Sequence, residues 1–165
     1  MKSLYNLKIS QNKLTKFEDI AGLAVLASTL SYLDLSKNED LEYSPLVHTE
    51  LLPKLKLIIL SIQSTTFSRS APSYRKETIA TSKSLRFLDD RPVTEDERML
   101  AEAWKKGGLV LEKEMRGKIK EKTIEKNNKI YQEMEERTQM AELKQKRVLD
   151  KLTHKESKIL DKLKK

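Results

Sequence analysis

Leu4-Tyr5-Asn6-Leu7-Lys8-Ile9-Ser10-Gln11-Asn12-Lys13-Leu14 places aliphatic residues and one asparagine at every defined position of the pattern L-x-x-L-x-L-x-x-N-x-L. A second copy begins 26 residues on, at Leu30-x-x-Leu33-x-Leu35-x-x-Asn38, with Leu41 one place late. A third copy is read 25 residues further, at Leu55-x-x-Ile58-x-Leu60-x-x-Gln63. The last, Leu85-x-x-Leu88-Asp89-Asp90-Arg91-Pro92-Val93, puts a polar turn where the next apolar strand position would fall, which closes the series. Regular spacing within each copy and between copies is a specific signal for a stacked-repeat fold.

That pattern is the leucine-rich repeat. In such a chain each copy supplies a short strand whose inward side chains stack on those of its neighbours, so that one continuous core runs through the array. The asparagine turns the chain and satisfies main-chain groups at the bend. Gln63 carries one extra methylene, which predicts a looser third turn, weaker by about 1 kcal/mol for a poorly made hydrogen bond. Return segments read as helix or loop. Thr15-x-x-Glu18 fits a capping box, with Phe17, Ile20, Leu23 and Leu26 forming one apolar stripe behind it. Pro72 suits the start of a helix through Tyr74, Arg75 and Ile79, whereas Pro45 and Pro53 bracket a less regular connection.

The predicted fold class is thus an α/β leucine-rich repeat solenoid. A short parallel sheet of about three to four repeats carries helices and loops on its convex side and a C-terminal cap, and a long, mostly solvent-exposed α-helix follows. The expected divisions are residues 1–93 for repeats and cap, 94–108 for a capping helix ending in Gly-Gly, and 109–165 for a charged helical, weakly coiled-coil tail. The first copy starts directly on a strand, so an unpaired edge, an uncovered core and self-association are expected there.

Thr94-Glu95-Asp96-Glu97 is a capping box with acids in its first turn, and Met99, Leu100, Ala103 and Trp104 follow at helical spacing. Trp104 is expected to pack on the end of the array, against the Leu85 to Val93 region, with the chain leaving freely after Gly107-Gly108. In the tail, Leu149, Leu152, Ile159 and Leu163 occupy four of five successive seam positions, with Glu156 the exception. Upstream, Arg137 and Lys144 break the seam and Gly117 and Asn127-Asn128 weaken the helix, so a lone charged helix is expected over a stable coiled coil.

Outward strand positions give two rows: Lys8, Asp34, Ile59 and Asp89, then Asn6, Tyr32, Leu57 and Phe87. The candidate partner surface is Tyr32, Asp34, Leu57, Ile59, Phe87 and Asp89, because apolar residues on a solvated face can mark a partner site. The candidate cap is Tyr74, Leu85, Leu88, Asp90, Arg91 and Trp104.

The formal charge of +8 is spread along the 165 residues, with 13 Lys and Arg against 10 Asp and Glu through Val93 and 20 against 15 beyond it. Signs are mixed, which describes solvated helix faces better than a nucleic-acid site. Four glycines, at 22, 107, 108 and 117, make neither a phosphate loop nor a dinucleotide fingerprint. His48 and His154 lack ligand spacing and read as surface residues. Asp89 and Asp90, read as adjacent on a strand, would point to opposite sides and share no acid/base role. No enzyme activity, cofactor or metal is expected. With no cysteine and no apolar run near the ~20 residues of a membrane span, a cytoplasmic location without membrane is the expectation.

Tyr74-Arg75-Lys76, the Leu-Asp-Asp-Arg-Pro-Val of the closing copy, Glu97-Arg98, Ala101-Glu102-Ala103-Trp104-x-x-Gly107-Gly108 and Glu112-Lys113-Glu114 together resemble the leucine-rich repeat family of axonemal dynein assembly factors. The resemblance is strongest from Ser84 to Glu114 and covers about residues 4 to 125. It implies a non-catalytic protein scaffold for cytoplasmic preassembly of dynein arms, associated with cilia or flagella, with axonemal dynein chains and assembly chaperones as partners. Two other classes remain open. One is a generic intracellular repeat adaptor of phosphatase-regulatory or spliceosomal type, and the other is a cytoskeleton- or nucleic-acid-binding basic helix.

Overall fold

A computed structural model describes residues 4–163, with side chains described through residue 156. Five short strands form one sheet in chain order: β1 (Asn6–Lys8), β2 (Tyr32–Asp34), β3 (Ile59–Ser61), β4 (Phe87–Leu88) and β5 (Arg91–Pro92). The first four pair in parallel and β5 folds back antiparallel on β4. Such strands are short because each copy needs only enough extended chain to bridge to its neighbour before turning away. The backbone ladder nonetheless continues past them, through Ser31 N to Tyr5 O, Ile58 N to Ser31 O and Arg86 N to Ile58 O at one end.

Inward positions build the core. Leu30, Leu33 and Leu35 from one copy stack on Leu57, Leu60 and Ile62 from the next, and these on Leu85 and Leu88, all buried. Leu7, Ile9 and Leu14 of the first copy pack on them only partly buried. The third copy therefore runs two residues later than predicted: its template residues are Leu57, Leu60, Ile62 and Thr65, not Leu55, Ile58, Leu60 and Gln63. Burial explains the choice, since this register hides all three aliphatic groups, whereas Ile58 is exposed. The turn residue is also different. Buried Thr65 donates its hydroxyl to Ile62 O at 2.7 Å and accepts from Ser68 N at 3.1 Å, so it closes the bend and starts the next helix. Gln63 instead donates from its amide to Asp90 Oδ2 at 2.8 Å.

On the other side of the sheet lie α1 (Glu18–Ala21), a 3-10 turn (Gly22–Leu26), a π-turn (Val47–Leu51), α2 (Thr66–Ser70) and α3 (Tyr74–Thr81). The every-third-residue stripe of Ile20, Leu23 and Leu26 suits the 3-10 geometry that part of this segment takes, because side chains three apart then eclipse. The expected Thr15/Glu18 capping box does not form. Asp19 takes its place, with Oδ2 accepting from Thr15 N at 2.8 Å and Lys16 N at 3.1 Å. Those two backbone donors hold the Asp19 carboxyl below its ordinary range.

Gln11, Lys37 and Ser64 all have positive φ at the equivalent turn of the first three copies, and in the closing copy Asp90 has it two positions earlier. Asp89 shares that conformation. The Asp89-Asp90 pair is thus a two-residue hairpin turn between β4 and β5, not a strand as predicted from sequence, and Asp tolerates the left-handed region better than most residues.

The last element, α4 (Glu95–Leu163), is broken at Gly107 and Gly108, whose dihedrals are non-helical. Gly108, at φ 64 and ψ −151, lies where a side chain is strained, and a Cβ on Gly107 would come within 2.3 Å of the Leu111 side chain. The chain divides into two compact units between Gly117 and Lys118. In the second unit the described side chains are exposed apart from half-buried Ile119. The side chains of Ile159 and Leu163 lie outside the described residues.

Candidate functional site

The observed register sets the candidate face. Asn6, Tyr32, Ile59 and Phe87 fall on one line across the four parallel strands, and Lys8, Asp34 and Ser61 on the next. Tyr32, Ile59 and Phe87 thus come together beside an open groove of about 580 Å³, which Asp34, Lys37 and Ser61 also line. Phe87 remains 42% exposed. Lys8 stands over the Tyr32 ring, its Nζ 5.5 Å from the centroid. Asp34 Oδ1 accepts from Ser36 N at 2.9 Å and Ser36 Oγ at 2.6 Å, a local turn that fixes the carboxylate.

Two residues expected on this face are elsewhere. Leu57 is fully buried, because the shifted third copy makes it the first core position in place of an outward one. Asp89 is half-buried and tied to the cap: Oδ1 accepts from Ile62 N at 2.8 Å and Oδ2 accepts from the Tyr74 hydroxyl at 2.7 Å. The Tyr74 ring packs edge-on against Phe67, with centroids 6.0 Å apart. Burial, reinforced by the neighbouring Asp89 charge, pushes the Tyr74 phenol well above its ordinary value, so it stays a donor.

One arginine holds the closing hairpin and a second holds the chain that leads into it. Arg75 on α3 donates to both oxygens of Glu97, at 2.6 and 2.8 Å, and to Leu88 O and Pro92 O, at 3.1 Å each. This fork holds the Glu97 carboxyl below its ordinary range, and Glu97 raises Arg75 in return. Glu97 therefore serves the cap with its side chain while its backbone N donates to Thr94 Oγ1, so only half of the predicted capping box forms. Arg98 donates to the carbonyls of Ile79, Ser82 and Leu85. Leu85 and Leu88 are fully buried, whereas Asp90 and Arg91 are exposed.

Trp104 is half-buried and meets α3: Lys76 Nζ lies 5.9 Å from its ring centroid. The same ammonium donates to Glu112 Oε2 at 2.6 Å, and Arg116 donates to Glu112 Oε1 at 2.9 Å. Lys76 above all, with Arg116, holds the buried Glu112 carboxyl below its ordinary range. Contacts to α3 thus reach at least four residues beyond the Gly-Gly break, farther than predicted, because one buried carboxylate needs two cations to satisfy it. Glu97, Arg98 and Glu112 were visible only as parts of a motif. Apart from Arg116 and Thr94, which are local, their partners are brought in by the fold from 13 to 36 residues away, which no local spacing reveals.

His48 corrects a further expectation, since it is buried among Tyr43, Phe67 and Thr78 instead of on the surface. Its Nε2 lies 3.0 Å from Thr78 Oγ1, and burial lowers its affinity for a proton despite nearby Glu77. The unfolded chain gains that proton near pH ~6.5, the folded one only at lower pH, so stability present above that pH is lost as pH falls. The expected outcome is a melting temperature that declines as pH falls below about 6.5 and a shallower decline in His48→Gln. Equal slopes in circular-dichroism melts would count against a buried neutral imidazole. Among the described residues no His, Cys, Asp and Glu group could hold a metal ion, and no helix is long and apolar enough to cross a membrane.

One short strand per leucine-rich copy, stacked in parallel and ended by a hairpin, defines a leucine-rich repeat domain. Comparison with known proteins points the same way. Over 105 residues, 64% of the chain, it is 40% identical to a dynein axonemal assembly factor 1 homolog of Drosophila pseudoobscura pseudoobscura, of which that stretch is 6%. It is 36% identical over 118 residues, 71% of the chain, to the leucine-rich repeat-containing protein ODA7 of Chlamydomonas reinhardtii, covering 26% of that protein. Human dynein axonemal assembly factor 1 is 39% identical over 87 residues, 53% of the chain and 12% of the human protein. The matched stretch is homologous to these proteins, and it spans about a quarter or less of their length. No protein-family model matches the chain.

Proposed function

We propose that the chain is a non-catalytic protein-interaction scaffold of the kind that preassembles axonemal dynein arms in the cytoplasm before they enter cilia or flagella. The observation that carries this reading is 39–40% identity to proteins named dynein axonemal assembly factor 1 or its homolog, beside 36% identity to a protein named leucine-rich repeat-containing protein ODA7. In this reading residues 1–93 are a capped repeat solenoid, 94–108 the capping helix and 109–165 a charged helical tail. Axonemal dynein chains and assembly chaperones are the partners. The row of Tyr32, Ile59 and Phe87 is the docking surface, and Asp34 borders it. The cap of Tyr74, Leu85, Leu88, Asp90, Arg91 and Trp104 keeps the array closed.

Loss of the gene in motile-ciliated cells of the source organism tests this. Axonemes seen in cross-section by electron microscopy are expected to lack dynein arms, and the intact gene to restore them. Normal arms and normal beating in the null cells would overturn the reading.

A further inference from the structure

Nearly half of residues 124–152 of α4 are charged, yet the charges are not spread evenly around the helix. Written in sevens from Ile124 to Leu152, five of the seven columns contain a charge and two contain none. The first uncharged column is Ile124, Tyr131, Thr138, Gln145 and Leu152, and the second is Asn127, Met134, Ala141 and Val148. Their members alternate three and four residues apart, which is the spacing of the two seam columns of a coiled coil. Arg137 and Lys144, which interrupt the phase set by Leu149 and Leu152, stand beside this strip and not in it. The helix is unbroken here and all nine side chains are exposed, so no described residue of the chain covers the strip. Thr138 donates its hydroxyl to Met134 O at 3.0 Å, so it can enter an apolar interface with its donor satisfied.

The flanks of the strip are sorted by sign. The column just before the first is Ile130, Arg137, Lys144 and Lys151, and the column just after the second is Asn128, Glu135, Glu142, Leu149 and Glu156. One flank carries only basic charge and the other only acidic charge. Among the described residues, Arg137, Glu142, Lys151 and Glu156 make no ion pair with one another or with the rest of the chain.

We infer that residues 124–152 pair with the same stretch of a second copy of this chain as a parallel, in-register, two-stranded coiled coil, an inference independent of the assembly role. In that arrangement each basic flank position faces the acidic flank position five residues later on the other helix, so Arg137 of one copy meets Glu142 of the other and Lys151 meets Glu156. Symmetry makes each pair twice. An antiparallel pair would set the basic flank against the basic flank and the acidic against the acidic. Direction is thus chosen both by attraction and by what the alternative would repel. A second copy already carries the complementary flanks that a helix of another protein would have to supply. Asn127, Thr138 and Gln145 make the seam weak, so the dimer forms by mass action, and they meet their own counterparts only in the matched register.

Sedimentation equilibrium of the full chain, over a roughly hundredfold range of concentration, is expected to show monomer passing to dimer. Val148→Glu should weaken the association about tenfold or more, because it places an unpaired carboxylate in the seam. Arg137→Glu together with Lys151→Glu should weaken it too, and adding Glu142→Lys and Glu156→Lys should restore it. The chain has no cysteine, so single substitutions report direction. Under mild oxidation Ile124→Cys and Leu152→Cys should each cross-link to itself, and their mixture should give no 124–152 product, since those positions lie roughly 40 Å apart along the helix. Asp150→Cys, on the outer face, should stay single. Circular dichroism of each variant checks that the helix is retained. A monomer at every concentration, a trimer or larger species, a dimer indifferent to Val148→Glu, as pairing through the β1 edge would be, or a mixed 124–152 disulfide would each overturn the inference.

Discussion

Asn38→Ala is expected to destabilise the repeat domain by roughly 2 to 5 kcal/mol, through several main-chain groups that lose their partner at once. Asn38 is fully buried. Its Oδ1 accepts from Asn12 N at 3.0 Å and Leu14 N at 3.4 Å, while its Nδ2 donates to Ile9 O at 3.0 Å and Leu35 O at 2.8 Å. One amide thus joins two copies and closes its own turn. Asn12, the same template position one copy earlier, is the internal control. It is exposed and its side chain bonds to Ile9 O and Ser10 O within its own turn, so Asn12→Ala is expected to cost under about 1 kcal/mol. Urea unfolding of both variants measures the difference. Equal losses would show that the buried amide is replaceable by water.

Leu88→Ala is expected to cost about 2 to 5 kcal/mol, as large-to-small changes in a packed core do. Leu88 is fully buried, it pairs with Leu60 on one side and Arg91 on the other, and its carbonyl accepts from Arg75. A cavity here lies under the hairpin that Arg75 clasps, so little can collapse to fill it. Thermal or urea unfolding reads the loss, and a change below about half a kcal/mol would mean that the closing strand is not part of the core.

The repeat architecture was legible because Leu30, Leu33 and Leu35 have no competing register, and because Leu85 and Leu88 precede a turn that only a closing copy would carry. The third copy misled for a physical reason. Leu55-Lys56-Leu57-Ile58-Ile59-Leu60-Ser61-Ile62 offers aliphatic groups in two registers, and both satisfy the first positions of the template. Only the later one also provides a buried hydroxyl, Thr65, where the turn must be satisfied, and Leu57-x-x-Leu60-x-Ile62 was the available signal. That shift then moved Leu57 from the candidate face into the core and brought Ile59 into line with Tyr32 and Phe87. The cap was legible in its leucines but not in its charges. Arg75, Arg98 and Glu112 act on groups that are near only after folding, and Asp89 left the open face because Tyr74, 15 residues earlier, reaches it.

The spatial order of the strands equals their order in the chain, and each pairs only with its immediate neighbours. No long-range loop must therefore close before the sheet can grow, and the closure entropy of each added strand is about the same as that of the one before. Copy number is consequently a free variable of this architecture. A duplication or deletion of one whole copy upstream of the hairpin changes the length of the sheet while every remaining pairing is preserved. Insertions within a copy are absorbed on the side away from the groove, where the return segments already differ in length and helix type from one copy to the next.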